Sequence, residues 1–282
     1  MKYFELSNGV KIPAIGFGTY KAAEGDTADV IRTALKVGYR YFDSASFYQT
    51  EGYIAKAIKD SGIDRKEVVI ATKAWKTEMG YENVKKAFQQ SLERLDTDYI
   101  DLYLIHWPRR SPDDREWKEI DVETWRAMEE LYRAGKIRAI GLSNFLPHHI
   151  ENLLENCEIT PMLNQLEIHP GNMQEAAVRY CHEKGIFVQA YRPIGRGQLF
   201  DDVLLKELAE KYQVSVPKLC LRYEYQRGFA TIPKASKKEK MLDNLNIFDF
   251  EISGTDMYQI DTMPPLGWSG EHPDRERVYF DK

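Results

Sequence analysis

The stretch DTADVIRTALKVGYRYF, residues 26–42, contains the pattern that decides the fold. Asp26 can cap the N-terminus of a helix, and Gly38 is typical of a helix end. Between them, four apolar residues share one helical face: Val30, Ile31, Ala34 and Leu35. Residues 39–42 (YRYF) then favour a strand. A helix followed at once by a strand is the building unit of parallel α/β folds.

The unit recurs along the chain. Strand-like runs cover residues 15–18, 39–42, 68–71, 100–105, 137–142, 162–163, 186–190 and 229–232. Helical patterns cover residues 26–38, 84–95, 122–134, 174–184, 203–212 and 237–245, and another helix opens at Pro147. Helices between short strands indicate right-handed parallel crossovers. Eight such units in about 250 residues predict a (β/α)8 TIM barrel.

An open, doubly wound sheet is the competing fold. That fold usually opens with a Gly-x-Gly-x-x-Gly turn. Here GFG (16–18) is followed by TYK (19–21), so the fingerprint is absent. Ahead of the first unit, YFEL (3–6) and VKI (10–12) flank an Asn8-Gly9 turn, which predicts a β-hairpin that closes the barrel floor. No linker divides the chain, so residues 1–282 are predicted to form a single barrel domain.

Composition excludes several classes of protein. The chain has 282 residues with 39 basic and 44 acidic side chains, a formal net charge of −5. That balance argues against a nucleic acid or an anionic membrane as the main partner. No apolar run approaches the roughly 18 residues that span a bilayer, and the N-terminus does not read as a signal peptide. Three distant cysteines without a Cys-x-x-Cys spacing argue against a disulfide framework or structural zinc, so we expect a cytoplasmic protein.

Two segments interrupt the strand–helix pattern. Residues 107–120 form a long polar connection, and residues 263–282 form a tail that contains proline and glycine without a helical period. Long irregular segments in compact domains are often binding loops. The tail 263–282 is therefore a candidate substrate loop.

Polar residues follow the predicted strands one after another, and in such a barrel the chemistry lies at the carboxyl ends of the strands. They are Asp43, Lys73, His106, Ser143, Asn144, Gln165, Tyr191 and Lys234. Each alone has a structural explanation: Asp43 can cap a helix, Lys73 can be a solvated charge, and His106 can be a core histidine. Only their convergence on one barrel mouth favours a functional site.

Several motifs resemble those of the aldo-keto reductase family, in the same order along the chain. They are YFDSASFYQTE (41–51), ATKAW (71–75), LYLIHWP (102–108), GKIRAIGLSNF (135–145), NQLEIHP (164–170) and IPK (232–234). The compact bacterial branch of small carbonyl reductases is the most similar. The resemblance implies reduction of an aldehyde or ketone to an alcohol with a nicotinamide cofactor.

That resemblance implies a catalytic tetrad of Asp43, Tyr48, Lys73 and His106 and no metal. Tyr48 is the general acid, and the Lys73 ammonium is expected to lower its pKa. Asp43 pairs with Lys73, while neutral His106 donates to the substrate oxygen. The adjacent pair His148-His149 is interpreted as a solvated helix start.

The resemblance also implies the cofactor site. Ser143, Asn144 and Gln165 hold the nicotinamide carboxamide, and Tyr191 stacks on its ring. Residues 195–199 fold over the pyrophosphate, with Gly195, Gly197 and Leu199 as contacts, and Arg192 stands where the family usually has serine. The 2′-phosphate and adenine contacts are Lys234, Ser236, Lys240, Asp243 and Asn244. NADPH is expected, with NADH possible because Lys240 replaces a stacking arginine.

Aromatic residues next to the strand ends predict an apolar pocket for a small-molecule carbonyl substrate. They are Tyr20, Phe47, Trp75 and Trp107, with Trp268 of the tail as a lid. Ordinary packing is the alternative explanation for each. We expect a monomer without a nucleic-acid or membrane partner.

Two other functions compete with a reductase. A barrel hydrolase or isomerase would use the ring of polar residues differently, but the histidines lack metal-ligand spacing. A cofactor-sensing protein could bind nicotinamide on the same barrel and turn over slowly. The complete tetrad favours turnover.

Overall fold

The computed structural model describes residues 1–22 and 27–279. Its strands are β1 (Tyr3–Glu5), β2 (Lys11–Pro13), β3 (Phe17–Gly18), β4 (Tyr41–Asp43), β5 (Val69–Ala74), β6 (Ile100–Ile105), β7 (Ile137–Ser143), β8 (Leu163–Glu167), β9 (Phe187–Tyr191) and β10 (Ala230–Thr231). Its helices are α1 (Thr27–Val37), α2 (Glu51–Ser61), α3 (Tyr81–Leu95), α4 (Trp117–Arg133), α5 (Pro147–Leu154), α6 (Glu175–Glu183), α7 (Val203–Lys211), α8 (Val216–Gln226), α9 (Lys238–Leu245) and α10 (Gly254–Asp261).

Strands β3 to β10 form one parallel sheet in chain order, as predicted for a (β/α)8 barrel. The sheet curls until its two edges meet, where Ile15 and Thr231 form a parallel bridge. Backbone hydrogen bonds support this closure: Gly16 N donates to Thr231 O at 2.8 Å, and Thr231 N donates to Ala14 O at 2.9 Å. The eight strand ends therefore form a closed ring.

Glycine makes the closure possible. A Cβ at Gly16 would lie 2.7 Å from the Tyr41 ring, and one at Gly18 would lie 2.9 Å from the carbonyl oxygen of Ile232. Any larger residue at either position would push β3 away from its neighbours. The motif GFG (16–18) thus serves barrel closure.

The helices surround the barrel mostly as the sequence predicts, with three differences. Helix α4 begins at Trp117, so the polar connection after β6 is shorter than residues 107–120. Two helices, α7 and α8, connect β9 to β10, where one was expected. The sequence analysis did not identify α2, α8 or α10. Gly38 ends α1 with a φ of 113°, as predicted, whereas the expected cap Asp26 lies outside the described residues.

Strands β1 and β2 pair as an antiparallel hairpin, which confirms the N-terminal prediction. The Phe4 ring lies 5.1 Å from that of Phe187, at the start of β9, and Asn8 Nδ2 donates to Arg138 O near the start of β7 at 2.8 Å. The hairpin therefore covers the amino ends of the strands and leaves the carboxyl ends to the site. Within the described ranges, no helix has the length and apolarity needed to span a bilayer.

Candidate active site

The polar residues predicted at the strand ends converge on the carboxyl side of the barrel. Asp43, Ser143 and Tyr191 are the last residues of β4, β7 and β9. Lys73 is the penultimate residue of β5, Gln165 lies two residues before the end of β8, and His106 follows β6 directly. Lys234 follows β10 after two residues. The parallel sheet brings these residues to one mouth although they are distant in sequence.

At the centre of the mouth lies a buried ion pair. Lys73 Nζ donates to Asp43 Oδ1 and to the carbonyl oxygen of Ser44, each at 2.7 Å. Asp43 Oδ2 accepts from Gln165 Nε2 at 2.8 Å, so both carboxylate oxygens are satisfied. The Lys73 side chain is fully buried, and burial lowers its pKa because the charged form is desolvated, while Asp43 opposes that shift.

Tyr48 and His106 meet above this pair. The Tyr48 hydroxyl lies 3.3 Å from His106 Nε2, with ring centroids 5.5 Å apart and planes at 80°. Burial drives the pKa of His106 well below its usual value, and the charges of Lys73 and Lys76 add to the effect. His106 is therefore a neutral imidazole at neutral pH, as expected from the sequence.

The expected direction of the Tyr48 pKa is wrong. Burial raises it well above its usual value, and the Asp43 carboxylate raises it further. The Lys73 ammonium lies 5.2 Å from the Tyr48 ring centroid, but Asp43 compensates its charge from 2.7 Å. Tyr48 therefore stays protonated at neutral pH and can donate its hydroxyl hydrogen.

Beside the tetrad, four of the predicted cofactor residues form one hydrogen-bonded group. Asn144, whose φ of 64° lies in the left-handed region, donates to His106 O at 2.9 Å and accepts from the Tyr191 hydroxyl at 2.7 Å. Ser143 Oγ donates to Gln165 O at 3.0 Å. Gln165 uses its amide hydrogens on Asp43 and Gln189, which leaves its carbonyl oxygen as an acceptor. The group holds polar atoms in fixed positions next to Tyr48 and His106.

Arg192 is held by two carboxylates. Its guanidinium lies 3.3 Å from Glu167 Oε2 and 3.1 Å from Glu271 Oε2, and its side chain is 14% exposed. Glu167 is buried and also accepts from Ser269 N at 2.9 Å. The residue that departs from the family pattern therefore joins the end of β8 to the C-terminal tail.

The loop after β9 contains three predicted contacts. Gly195 and Gly197 have φ values of 51° and 90°. Leu199 is fully buried, and a Cβ at Gly195 would lie 3.1 Å from it. The buried Leu199 side chain thus holds the loop against the protein interior, and only the backbone of Leu199 is available to contact a ligand.

The residues predicted to contact the adenosine end lie before α9 and along it. Lys234, Ser236 and Lys240 are exposed, and Lys234 Nζ donates to Lys21 O at 2.6 Å. Asp243 accepts a hydrogen bond from Ser215, and Asn244 is buried. The described residues place no carboxylate within ion-pair distance of Lys234, Lys237, Lys238 or Lys240, all exposed. An anionic group would meet four exposed ammonium groups that form no ion pair with the described residues, although Glu239 lies among them.

Four of the predicted substrate residues form an aromatic wall. Phe47 stacks on Trp75 with centroids 4.0 Å apart at 15°, and Trp75 meets His106 edge-on at 4.9 Å. The Tyr20 ring lies 4.8 Å from that of Tyr48. Trp107 is buried beside them, whereas half of Phe47 is exposed. Phe47 and Trp75 thus border the entrance to His106.

Trp268 lies on another side of the mouth. With Gly195, Arg196 and Arg277 it lines a cavity of about 210 Å³ that also contains Glu167 and Arg192. The tail therefore faces the loop after β9 at this position. Trp75 and Phe47 do not line that cavity.

Comparison with known proteins agrees with this geometry. A model of the aldo/keto reductase family matches residues 14–264, most of the chain. The chain belongs to the aldo/keto reductase family. Members of the family are oxidoreductases that act on carbonyl groups, generally with nicotinamide cofactors.

Individual relatives of this aldo/keto reductase span nearly its whole length. It is 44% identical over 271 residues to glyoxal reductase of Bacillus subtilis (strain 168), covering 96% of this chain and 95% of that protein. It is 39% identical over 273 residues to 9,11-endoperoxide prostaglandin H2 reductase of Trypanosoma cruzi (strain CL Brener), covering 95% and 94%. The crystal structure of an aldo/keto reductase from Brucella melitensis matches with a TM-score of 0.86 at 38% identity, covering 92% of this chain and 98% of that one.

The sequence of this aldo/keto reductase did not reveal how its tail is fastened. Asp274 Oδ1 lies 3.0 Å from Arg109 Nη1 and 2.9 Å from His149 Nε2, and Asp274 Oδ2 lies 3.2 Å from His148 Nε2. Leu266 N donates to Gly171 O at 3.1 Å. The tail thus crosses the loops that follow β6, β7 and β8, on the same side as the tetrad.

His149 corrects the interpretation of His148-His149 as solvated. His149 is fully buried, and only His148 is exposed. Its Nδ1 accepts from Leu146 N at 3.2 Å, so its Nε2 carries the hydrogen and donates it to Asp274. Burial lowers the pKa of His149 to about 4. One ring nitrogen of each histidine and one carboxylate oxygen of Asp274 lie within 4.8 Å of one another. The contacts of both histidines with Asp274 explain why these three side chains are close.

Lys76 lies close to the site, and the sequence analysis did not identify it. It follows Trp75 in the ATKAWK run, of which the sequence predicts roles for Lys73 and Trp75 only. Its Nζ lies 4.8 Å from the Trp107 ring centroid. A lysine one residue beyond a predicted pocket residue was the available signal.

Proposed function

We propose that this protein is an NADPH-dependent carbonyl reductase that converts an aldehyde or ketone to an alcohol, with Tyr48 as general acid. The observation that carries the proposal is the contact of the Tyr48 hydroxyl with His106 Nε2 at 3.3 Å, directly above the buried Lys73–Asp43 pair. The Tyr48 hydroxyl and His106 can both donate to one position, and the Lys73 ammonium lies behind Tyr48. Such an arrangement stabilises a carbonyl oxygen that gains negative charge during reduction.

In this proposal the substrate oxygen lies between Tyr48 and His106. His106 is neutral, and in the tautomer that carries its hydrogen on Nε2 it donates a hydrogen bond to that oxygen and fixes the direction of the carbonyl. Tyr48 transfers its proton to that oxygen. Because burial raises the pKa of Tyr48, the proton is retained until the oxygen becomes strongly basic.

Lys73 acts on Tyr48 after the proton has left. The ammonium lies 5.2 Å from the Tyr48 ring and stabilises the phenolate that forms during the transfer. Asp43 and the Ser44 carbonyl oxygen fix Lys73 in place and compensate for its burial. Lys73 and Asp43 thus serve the acid rather than the substrate.

The residues present fit a phosphate-bearing nicotinamide cofactor. The exposed lysines around α9, which form no ion pair with the described residues, favour the 2′-phosphate on Lys234 and Ser236, with Lys240 nearby. We assign the carboxamide to Ser143, Asn144 and Gln165, the ring to Tyr191, and the adenine end to Asp243 and Asn244. We assign binding of the pyrophosphate to Arg192 and to the loop that contains Gly195, Gly197 and Leu199. A bound reduced nicotinamide would supply the hydride.

We further propose that the aromatic wall and the tail form the substrate pocket. Phe47 and Trp75 supply apolar surface next to His106, together with Tyr20 and Trp107. Trp268 adds a wall from the tail side. Since glyoxal reductase is a relative at 44% identity, small dicarbonyl compounds are the first substrates to test.

The direct test is a steady-state assay of nicotinamide absorbance with the purified full chain. The panel contains glyoxal, methylglyoxal, simple aldehydes, ketones and keto sugars, each with NADPH and with NADH. Consumption of NADPH that depends on a carbonyl compound, with formation of the alcohol, is the expected result. Cofactor binding by fluorescence titration without turnover of any compound would favour a cofactor sensor and contradict the proposal.

A further inference from the structure

Lys76 lies at the entrance to the tetrad. It opens the short helical turn Lys76–Glu78 that follows β5. Its Nζ lies 4.8 Å from the Trp107 ring centroid and 5.9 Å from that of Trp75. Both indoles flank His106, one by sequence and the other by ring contact at 4.9 Å. The ammonium therefore lies between the two aromatic rings that border the candidate reaction site.

Among the described residues, the charge of Lys76 has aromatic neighbours but no carboxylate partner. Across residues 1–22 and 27–279, no carboxylate lies within 4 Å of its Nζ, and no hydrogen bond satisfies it. The Glu271 carboxylate pairs with Arg192 at 3.1 Å and with Arg277 at 3.3 Å. It raises the pKa of Lys76 only by electrostatic attraction from beyond ion-pair distance. Glu276 also acts through space and is exposed.

The two buried lysines among the described residues are paired. Lys73 contacts Asp43 at 2.7 Å, and Lys218 contacts Asp249 at 2.8 Å. Lys76 is half-buried, and burial lowers its pKa, which shows that desolvation outweighs the distant carboxylates. An ammonium in such a position gains by meeting an anion, because the cost of partial burial is then offset.

We propose that Lys76 binds an anionic group on the carbonyl substrate, so that the site prefers aldehydes or ketones that carry a carboxylate or a phosphate. The inference rests on the proposed reductase function and names its substrate class. The Trp75 ring connects the two positions, since its centroid lies 4.9 Å from that of His106 and 5.9 Å from Lys76 Nζ.

Matched substrate pairs test this inference. Succinic semialdehyde is compared with butanal, and glyceraldehyde 3-phosphate with glyceraldehyde, so that the two arms separate carboxylate from phosphate. The measured quantity is the ratio of kcat/KM for the anionic member to that for its neutral partner. We expect a ratio above one in at least one pair, which falls about tenfold in Lys76→Met.

Two controls separate recognition of charge from support of the fold. Lys76→Arg keeps the charge and should restore most of the ratio, whereas a structural effect of the methionine would change both members of a pair alike. Lys118→Met removes another lysine that lies over an indole, 5.7 Å from the Trp117 ring centroid but exposed on α4, and should leave the ratio unchanged. The ratio should also fall with ionic strength in the wild type and much less in Lys76→Met.

The outcomes are distinct. The role of Lys76 would be overturned if the neutral members are turned over and the anionic-to-neutral kcat/KM ratio is one or less in both pairs. It would also be overturned if Lys76→Met leaves the ratio unchanged. Either result would leave the reductase function intact. Failure to turn over any member, or any compound of the wider carbonyl panel, would overturn the reductase function and the inference with it.

Discussion

Lys73 Nζ and Asp43 Oδ1 lie 2.7 Å apart in the centre of the barrel mouth, and both side chains are removed from water. The pair connects the ends of β5 and β4, and Gln165 of β8 completes the coordination of the carboxylate. Three strands of the barrel are thereby joined at the point where the candidate general acid stands.

Lys73→Met should therefore destabilise the protein strongly. It leaves the Asp43 carboxylate buried without its counter-charge, and breaking a buried pair costs about 3–5 kcal/mol. The double variant Asp43→Asn/Lys73→Met removes both charges and should recover part of that loss. Urea denaturation followed by circular dichroism measures both. A single variant no less stable than the double would contradict a strong buried pair.

Tyr48→Phe should abolish carbonyl reduction and keep cofactor binding, because one hydroxyl is lost and the ring remains. General acid catalysis typically contributes 10²–10⁴-fold, so kcat should fall by at least about 100-fold. Tyr81→Phe on α3, which removes a hydroxyl that donates to Glu130 of α4 instead of contacting His106, is the matched control. Retention of more than about a tenth of the wild-type kcat would remove Tyr48 from the acid role.

Lys234→Met should weaken NADPH binding much more than NADH binding, since only NADPH carries the 2′-phosphate. A hydrogen bond to a charged group contributes about 1.5–3 kcal/mol, which corresponds to about 10- to 100-fold in the Kd for NADPH. Fluorescence titration of both cofactors measures the difference, with exposed Lys66→Met as the control at the other end of the barrel. Equal losses for both cofactors would show that Lys234 does not recognise the phosphate.

The tail should determine substrate choice without taking part in hydride transfer. Truncation after Pro264 removes Trp268 and the contacts of Ser269 and Asp274, so KM should rise for bulky aldehydes more than for short ones. Asp274→Asn weakens the attachment but keeps Trp268, and should give a smaller change in the same direction. If the truncated protein melts earlier but ranks its substrates as before, the tail only stabilises the fold.

His149 should make stability dependent on pH. Its pKa is lowered from 6.5 to about 4 in the folded protein, chiefly by burial. Between these values the unfolded chain binds the proton and the folded chain does not, so the free energy of unfolding decreases as pH falls through this window. The loss is at most about 3–4 kcal/mol and is complete below the folded pKa.

His149→Gln should flatten that part of the pH profile, measured as urea midpoints from neutral pH down to about 4. Exposed His182→Gln is the matched control. Because carboxylates also titrate at the acidic end, only the difference from the wild type reports on His149. Identical profiles for His149→Gln and the wild type would contradict the assignment.

Much of the fold and of the tetrad follows from the sequence alone, because both depend on local pattern. Apolar runs of strand length alternate with helical periodicity, and a parallel barrel then brings every strand end to one mouth. Asp43, Lys73 and His106 could therefore be placed together before any coordinates. The sequence analysis did not identify helix α2, although α2 also has an apolar face. It predicted one helix between β9 and β10, whereas α7 and α8 both lie there, because the packing of two consecutive helices is not visible in a short stretch of sequence.

What only the tertiary structure decided are the electrostatic partners. The pKa of Tyr48 rises because burial outweighs a cation whose charge Asp43 already compensates, and the sequence contains no measure of burial. His149 is buried because Asp274, 125 residues later, is carried over it by the tail. Lys76 lacks an ion-pair partner among the described residues, while Glu271 pairs with Arg192 and Arg277. Such relationships depend on distances of a few ångströms between distant segments, and Coulomb energies change steeply over that range.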